Sequence, residues 1–145
     1  MKIGKREILV MIGDSITDCG RVQPVAEGLF DPLGQTHVNL KEYAQTLEDL
    51  VAKTRPMLKG LVLMTPHYIE PNRNDAMRAR MDQYGEVVKR LAKKYDAVLV
   101  DTQSAFDKVL QQIHPNALAW DRVHPNQTGH MILARTFLKA IGFAW

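Results

Sequence analysis

The amino-acid sequence predicts an α/β fold in which a parallel sheet lies between helices. Short apolar runs of four or five residues, the length of buried strands, recur along the chain. They alternate with longer segments whose apolar residues recur every three or four positions, as on one face of a helix. Strands that alternate with helices of this length are joined by right-handed crossovers and form a parallel sheet.

Three segments are predicted as strands because they consist almost wholly of leucine, methionine and β-branched residues. Such near-continuous hydrophobicity is typical of strands that are covered on both faces. The segments are Ile8–Ile12, Leu61–Met64 and Ala97–Val100.

Four segments are predicted as helices: Leu40–Val51, about Asp75–Lys94, Ser104–Ile113 and Gln127–Ala140. Possible caps precede the first and the last of them, Asn39 and Asn126 respectively. The charged residues of the second helix, Arg78 among them, are expected on its solvated face.

Composition indicates a single soluble globular domain over residues 1–145. The chain is 46% hydrophobic and 24% charged, and its net charge of +3 is spread along the sequence, so a nucleic-acid partner is not implied. No run approaches the roughly 20 apolar residues that cross a bilayer, and no signal peptide is expected at the charged start. The single cysteine, Cys19, excludes an internal disulfide and favours a cytoplasmic location. The histidines show no metal-ligand spacing, so neither a metal nor a cofactor is predicted.

Residues 16–38 do not fit this pattern. Over these 23 residues there are several glycines and prolines, and the apolar residues follow neither the period of a helix nor that of a strand. A structureless loop of that length is uncommon inside a compact domain. Three strands are also few for this class of fold, where about five are usual.

Gly13-Asp14-Ser15 stands directly after the first predicted strand. Ligands of α/β sheets bind at the carboxyl ends of the strands, so the hydroxyl of Ser15 can point into a crevice there. Backbone amides at the same place could face a developing oxyanion. The alternative is a capping turn, in which Asp14 or Ser15 only satisfies the amides at the start of a helix.

Near the other end of the chain, Asp121 precedes His124 by three residues, on a loop that Pro125 stiffens before the last helix. The carboxylate can reach one imidazole nitrogen within a single turn of chain and leave the other free. This is the acid–base half of a serine triad. The alternative is a local hydrogen bond that only caps the helix.

Taken together, the segments Ile12–Asp18 and Asp121–Asn126 resemble the first and last signature blocks of the SGNH (GDSL) hydrolases, which cleave acyl esters. The likeness is greatest to small bacterial carbohydrate acetylesterases. It implies a flavodoxin-like, three-layer α/β sandwich that works without a cofactor. It also implies that Ser15 is the nucleophile and one oxyanion donor through its backbone amide, that His124 is the base and that Asp121 orients it.

The sequence departs from the family in lacking its second and third blocks, which supply a glycine and an asparagine as further oxyanion donors. The two strands that precede those blocks would fall between about Gly34 and Val38. Two explanations are open: the natural molecule carries a segment there that this sequence lacks, or the segment is lost and the remaining strands pair differently. In the first case, consecutive Cα atoms between Leu33 and Val38 should lie much farther apart than about 3.8 Å.

Asp14, Tyr68 and Trp120 are candidates for the substrate pocket. Tyr68 alternatively lies in a loop that only covers the core, and Trp120 alternatively packs beneath its own loop. Apolar residues at the end of the chain, such as Phe143, suggest a subunit contact and hence a homo-oligomer. The sequence therefore predicts a serine esterase that acts on acyl esters, and the resemblance implies acetyl esters of carbohydrates. The alternative is a catalytically silent module that acts in binding or oligomerisation.

Overall fold

The computed structural model describes Ile8 and residues 38–143. The first predicted strand, apart from Ile8, lies outside the described residues, and so does the stretch from Leu33 to His37; Ile8 itself is in neither helix nor strand. The described elements are α1 (Leu40–Thr54), β1 (Val62–Met64), α2 (Ala76–Lys94), β2 (Val98–Val100), α3 (Thr102–Val109) and α4 (Gln127–Ala140), with short 3-10 turns at Arg55–Met57 and Pro115–Ala117.

The two described strands pair in parallel, with Val62 opposite Val98 and Met64 opposite Val100. α2 connects them, as the alternation of strand and helix predicts, so the α/β class is confirmed. Two threonines continue the pairing past the carboxyl ends of the strands: the hydroxyls of Thr65 and Thr102 lie 3.0 Å apart, both buried. This end of the sheet is therefore closed by a polar contact.

α2 has the buried stripe that its periodicity predicts. Val88 and Leu91 are fully buried on it, and the ring of Tyr84 packs against Tyr43 of α1 with centroids 4.8 Å apart. The helix begins where Asp75 caps it, accepting a hydrogen bond of 3.0 Å from the amide of Arg78. None of the helices that the structure describes is long and apolar enough to cross a membrane.

A second apolar cluster lies around α3 and α4 and supports the loop between them. Its buried members are Ile69, Phe106, Leu110, Leu118 and Ala119, and Ile132 and Leu133 of α4 pack against them. Because these residues come from four separate segments, the cluster joins the loop after β1, α3, the loop before α4 and α4 itself.

Three expectations about local structure are corrected. α3 starts two residues earlier than predicted, because the Asp101 side chain accepts the amide of Ser104 at 3.0 Å and caps it. It also ends at Val109, and the chain then approaches Pro115, before which helical backbone is disfavoured. β1 is only half-buried, and its last residue, Met64, is 40% exposed.

Arg78 is the largest correction, because it is buried rather than solvated. Only 2% of it is exposed. Its guanidinium donates to the carboxylates of Asp82 at 2.9 Å and Asp107 at 2.8 Å, and to the backbone carbonyl of Glu70 at 2.6 Å. Burial lowers the pKa of Arg78, but its bonds to the two carboxylates outweigh this and raise the pKa, so the side chain stays charged. A buried arginine needs such a set of acceptors.

Candidate active site

Asp121 and His124 lie on the turn that precedes α4, and the side chain of Asp121 organises that turn. One of its oxygens, Oδ1, accepts two backbone amides, from Val123 at 2.9 Å and from His124 at 2.8 Å. A short polar side chain that bonds to the backbone two and three residues ahead fixes a local turn. The other oxygen is left to face the imidazole.

That second oxygen, Oδ2, lies 2.5 Å from Nδ1 of His124. In neutral histidine the proton then sits on Nδ1, so Nε2 keeps its lone pair and can accept a proton. About half of the histidine side chain is exposed. Within residues 38–143, no group forms a hydrogen bond with Nε2. The pair therefore has the arrangement of an oriented general base.

Electrostatics keep Asp121 ionised. Burial by itself raises the pKa of this carboxyl, but the hydrogen bonds from the His124 ring and from the amides of His124 and Val123 outweigh it and lower the pKa to about 2. At neutral pH the carboxylate is thus negative and can stabilise an imidazolium that forms beside it.

The alternative that this pair only caps the last helix is wrong, because Asn126 does so. Its side-chain oxygen accepts the amides of Thr128 at 3.0 Å and Gly129 at 3.1 Å. The backbone N–H of Asn126 donates to the carbonyl of Leu118 at 2.7 Å, which fixes the end of the loop to the apolar cluster. With the helix capped by another residue, the Asp121 carboxylate serves the turn and the imidazole alone.

The turn is also held from outside, by residues that the sequence did not reveal. The carbonyl of Arg122 accepts a 2.9 Å hydrogen bond from the amide of buried Ile69. The Arg122 guanidinium forms an ion pair with the carboxylate of Glu70, which is itself buried. Glu70 and Arg122 are 52 positions apart in the chain, so no local pattern signals their contact.

The remaining predicted site residues fare differently. Tyr68 is half-buried, and its amide donates to the side chain of Gln103 at 2.7 Å. It directly precedes Ile69, so its backbone lies close to the turn. Trp120 is 83% exposed and does not pack beneath its loop.

Ser15 and its backbone amide, together with Asp14 and Cys19, lie outside the described residues. Their predicted roles in catalysis and in lining the pocket therefore stay predictions. Over the part of the chain that the structure describes, no group of three or more histidine, cysteine or carboxylate side chains could hold a metal ion.

A model of the GDSL-like lipase/acylhydrolase family matches residues 23–132. The chain belongs to this family. The predicted family is therefore confirmed; the matched residues include the last signature block, Asp121–Asn126, and begin after the first.

Among the relatives in the family is an acetylxylan esterase from Geobacillus stearothermophilus. It is 40% identical over 215 aligned residues, which span 100% of this chain and 98% of the relative. Because the chain has 145 residues, at least 70 of those 215 positions hold none of its residues. The relative thus carries chain that this sequence lacks.

Two solved structures of family relatives confirm the α/β fold. A crystal structure of an acetylxylan esterase from Geobacillus stearothermophilus is 59% identical, with a TM-score of 0.74, and the match covers 75% of this chain and 50% of that one. An α/β hydrolase enzyme from the metagenome of Lake Arreo, Spain, is 54% identical with a TM-score of 0.74, covering 77% and 51%. The chain spans about half the length of these solved relatives.

Other solved structures of the Geobacillus esterase are described as catalytic mutants. In them a serine, a histidine or an aspartate is replaced by alanine. In that esterase, the replaced aspartate stands three positions before the replaced histidine.

Proposed function

We propose that this protein is a serine esterase that removes acetyl groups from acetylated carbohydrates, with xylo-oligosaccharides as the substrate class. The observation that carries the proposal is the Asp121–His124 pair, in which the carboxylate lies 2.5 Å from Nδ1 and leaves Nε2 able to take a proton. Family membership supplies the reaction, and the acetylxylan esterase relative supplies the substrate class.

In the proposed mechanism, Ser15 is the nucleophile. Nε2 of His124 removes the hydroxyl proton while the oxygen attacks the acetyl carbonyl, and Asp121 stabilises the imidazolium. The backbone amide of Ser15 donates to the oxyanion. The imidazolium then gives its proton to the sugar oxygen as the bond between that oxygen and the acetyl carbon breaks, which frees the sugar hydroxyl and leaves an acetyl-serine. Water, deprotonated by the same imidazole, attacks the acetyl carbon. The bond to the serine oxygen breaks, the imidazolium returns its proton to that oxygen, and acetate leaves.

The spacing of the proposed triad agrees with that of the relative. Asp121 and His124 have the same three-position spacing as the aspartate and histidine replaced in the catalytic mutants. The replaced serine and histidine of that esterase are 179 positions apart, whereas Ser15 and His124 are 109 apart. The difference, 70, equals the minimum number of aligned positions that hold no residue of this chain. This agreement supports a missing segment between the two ends of the triad, where the sequence leads us to expect it.

The missing segment limits the activity that we expect. Each oxyanion donor that an ester hydrolase loses costs on the order of a hundredfold or more in rate. Without the glycine and asparagine donors that the family resemblance implies, the protein keeps the amide of Ser15 alone. We therefore expect slow turnover that still depends on the triad.

The direct test follows acetate release from acetylated xylo-oligosaccharides and from p-nitrophenyl acetate, with Ser15→Ala and His124→Ala as variants. We expect turnover above the uncatalysed rate that both variants abolish. Cys19→Ala is the matched control, since it truncates a small side chain four positions after Ser15 in the sequence and should leave turnover unaltered. Turnover that persists in Ser15→Ala removes Ser15 from the mechanism.

One alternative is favoured by a specific observation, the chain's coverage of about half of its solved relatives. It is a silent module that binds acetylated carbohydrate, or its own copies, without cleaving the ester. Calorimetric titration with an acetylated xylo-oligosaccharide, combined with sedimentation at several protein concentrations, separates the two. Binding or self-association without acetate release supports the alternative, whereas release that depends on Ser15 rejects it.

A further inference from the structure

We propose that Glu70 and Arg122 are positioning residues for the general base: together they hold the turn that aims His124. This inference rests on the proposed esterase function. It assigns no chemistry to either side chain. Its basis is the way in which one peptide unit of the turn is fixed from both sides.

The peptide unit between Arg122 and Val123 makes two hydrogen bonds in opposite directions. Its carbonyl oxygen accepts the amide of Ile69 at 2.9 Å, and its N–H donates to Oδ1 of Asp121 at 2.9 Å. Because a peptide unit is planar and rigid, turning its carbonyl away from Ile69 also turns its N–H away from Asp121. The orientation of the carboxylate is thereby coupled to the segment after β1.

The backbone at Arg122 needs this support, since its φ angle is +64°. Left-handed backbone is unfavourable for a non-glycine residue and persists where surrounding contacts enforce it. The ion pair between Arg122 and Glu70 is such a contact, because it ties the same residue to the same segment as the Ile69 hydrogen bond.

Glu70 is a firm anchor for the arginine. Its side chain is only 9% exposed. Its second carboxylate oxygen, Oε1, accepts the amide of Asn72 at 2.8 Å, and its backbone carbonyl accepts the buried guanidinium of Arg78 at 2.6 Å. A buried carboxylate bonded through both oxygens has little freedom to move. Glu70 therefore gives the Arg122 guanidinium a partner whose position is fixed by the segment after β1.

Residues 68–70 are themselves held in place by Arg78 and by α3. The arginine also bonds to Asp107 at 2.8 Å, and Asp107 accepts the side-chain amide of Gln103 at 2.9 Å. The other end of Gln103 accepts the backbone amide of Tyr68 at 2.7 Å. Every residue from 68 to 70 thus has a backbone group hydrogen-bonded to another part of the fold. The turn that carries His124 is bonded to this fixed segment through Arg122.

Steady-state kinetics test the inference. Glu70→Gln keeps the acceptor for Asn72 and removes the charge. Arg122→Met removes the guanidinium and keeps the unfavourable left-handed backbone. We expect each to lower kcat about tenfold with KM changed less than about twofold, since displacement of a catalytic group by about 1 Å costs up to a hundredfold. The double variant should be no slower than either single one, because both changes break one contact. Arg122→Lys should recover part of the loss.

The matched control is Arg80→Gln, which removes an exposed arginine of α2 and should leave kcat unchanged. Full activity in Arg122→Met, or effects that multiply in the double variant, would overturn the inference. Melting curves by circular dichroism identify any loss that comes from unfolding.

A second measurement does not depend on turnover. The Nδ1 proton of His124, which lies in the hydrogen bond to Asp121, should give a far-downfield proton NMR resonance. We expect this resonance to shift or broaden in Glu70→Gln and to stay unchanged in Arg80→Gln. If the wild type shows no Ser15-dependent turnover but this shift is seen, the esterase proposal fails and the positioning contact stands. If the wild type turns over while the resonance and kcat are unaltered in Glu70→Gln, the positioning role is wrong.

Discussion

The carboxylate of Asp121 divides its two oxygens between two tasks: Oδ2 lies 2.5 Å from Nδ1 of His124, while Oδ1 accepts the amides of Val123 and His124 itself. The same group thus sets the path of the backbone and the direction of the imidazole. A change at Asp121 is expected to affect both, and the two effects can be measured separately.

Asp121→Asn should lower kcat by about 10⁴ with a smaller effect on KM, because an amide opposite Nδ1 favours the wrong histidine tautomer. Stopped or steady-state assays with p-nitrophenyl acetate give the ratio of kcat in Asp121→Asn to kcat in the wild type. Asp96→Asn is the control: Asp96 is fully exposed, and its φ of 50° suits asparagine. Equal activity of Asp121→Asn and the wild type would exclude Asp121 from the triad.

Stability should depend on pH through Asp121. Its pKa in the folded protein is about 2, below the ordinary value of 3.8, so the ionised carboxylate stabilises the native state above about pH 4. This contribution, on the order of 1–2 kcal/mol after solvent screening, is lost as the pH falls from about 4 towards 2. Urea unfolding at pH 6 and pH 3 measures it as the difference between wild type and Asp121→Asn. A difference that does not shrink on acidification contradicts the assignment.

Gly129→Ala should destabilise the protein by about 1–3 kcal/mol, because its new Cβ would lie 2.6 Å from Cβ of Pro125 and 3.0 Å from the carbonyl oxygen of Leu118. It should also slow turnover, since Pro125 follows His124 directly. Gly85→Ala is the matched control within α2, where the added Cβ meets Thr65 at 4.0 Å and the helix gains about 0.5–1 kcal/mol. Thermal unfolding compares the melting temperatures of the two variants. Equal melting temperatures would count against the close approach of Gly129 to Pro125.

Arg78→Met should destabilise the protein by about 2–4 kcal/mol, because the carboxylate of Asp107 loses a buried partner. Arg80→Met, on the exposed side of the same helix, should change stability by less than about 0.5 kcal/mol. The double variant Arg78→Met with Asp107→Leu should regain part of the loss, since it removes both charges. Chemical unfolding of the three variants tests this order.

Inserting the roughly 70 residues that the acetylxylan esterase has and this chain lacks, between Gly34 and Val38, should raise kcat on the order of 10⁴ if two oxyanion donors return. A glycine–serine linker of the same length is the control and should leave kcat unchanged. An insertion that folds without faster acetate release would mean that the donors lie elsewhere.

The parts of the fold that depend on local pattern could be predicted from the sequence. Gln127–Ala140 has the predicted bounds and the predicted cap, Asn126. The bounds of α2 differ from the prediction only in that Asp75 is the cap of the helix. Short polar side chains before an apolar period signal such starts directly. The spacing of Asp121 and His124 likewise sufficed to predict their contact, because three residues of turn leave few alternatives.

Contacts between distant segments could not be predicted. Arg78 is a charged residue off the apolar stripe of its helix, so the pattern predicts a solvated side chain. Its burial is set by Glu70 and Asp107, which reach it from a loop and from α3. The pairing of Glu70 with Arg122 is of the same kind. Single-sequence patterns report periodicity along the chain and contain no information about which charges meet across it.

The acid–base turn forms its essential bonds within four consecutive residues, Asp121 to His124. Its contacts outside the turn go to Ile69 and Glu70. Gains or losses of chain that spare the segment after β1 therefore leave the acid–base geometry intact, whereas a graft of the turn into another scaffold would have to carry that segment with it.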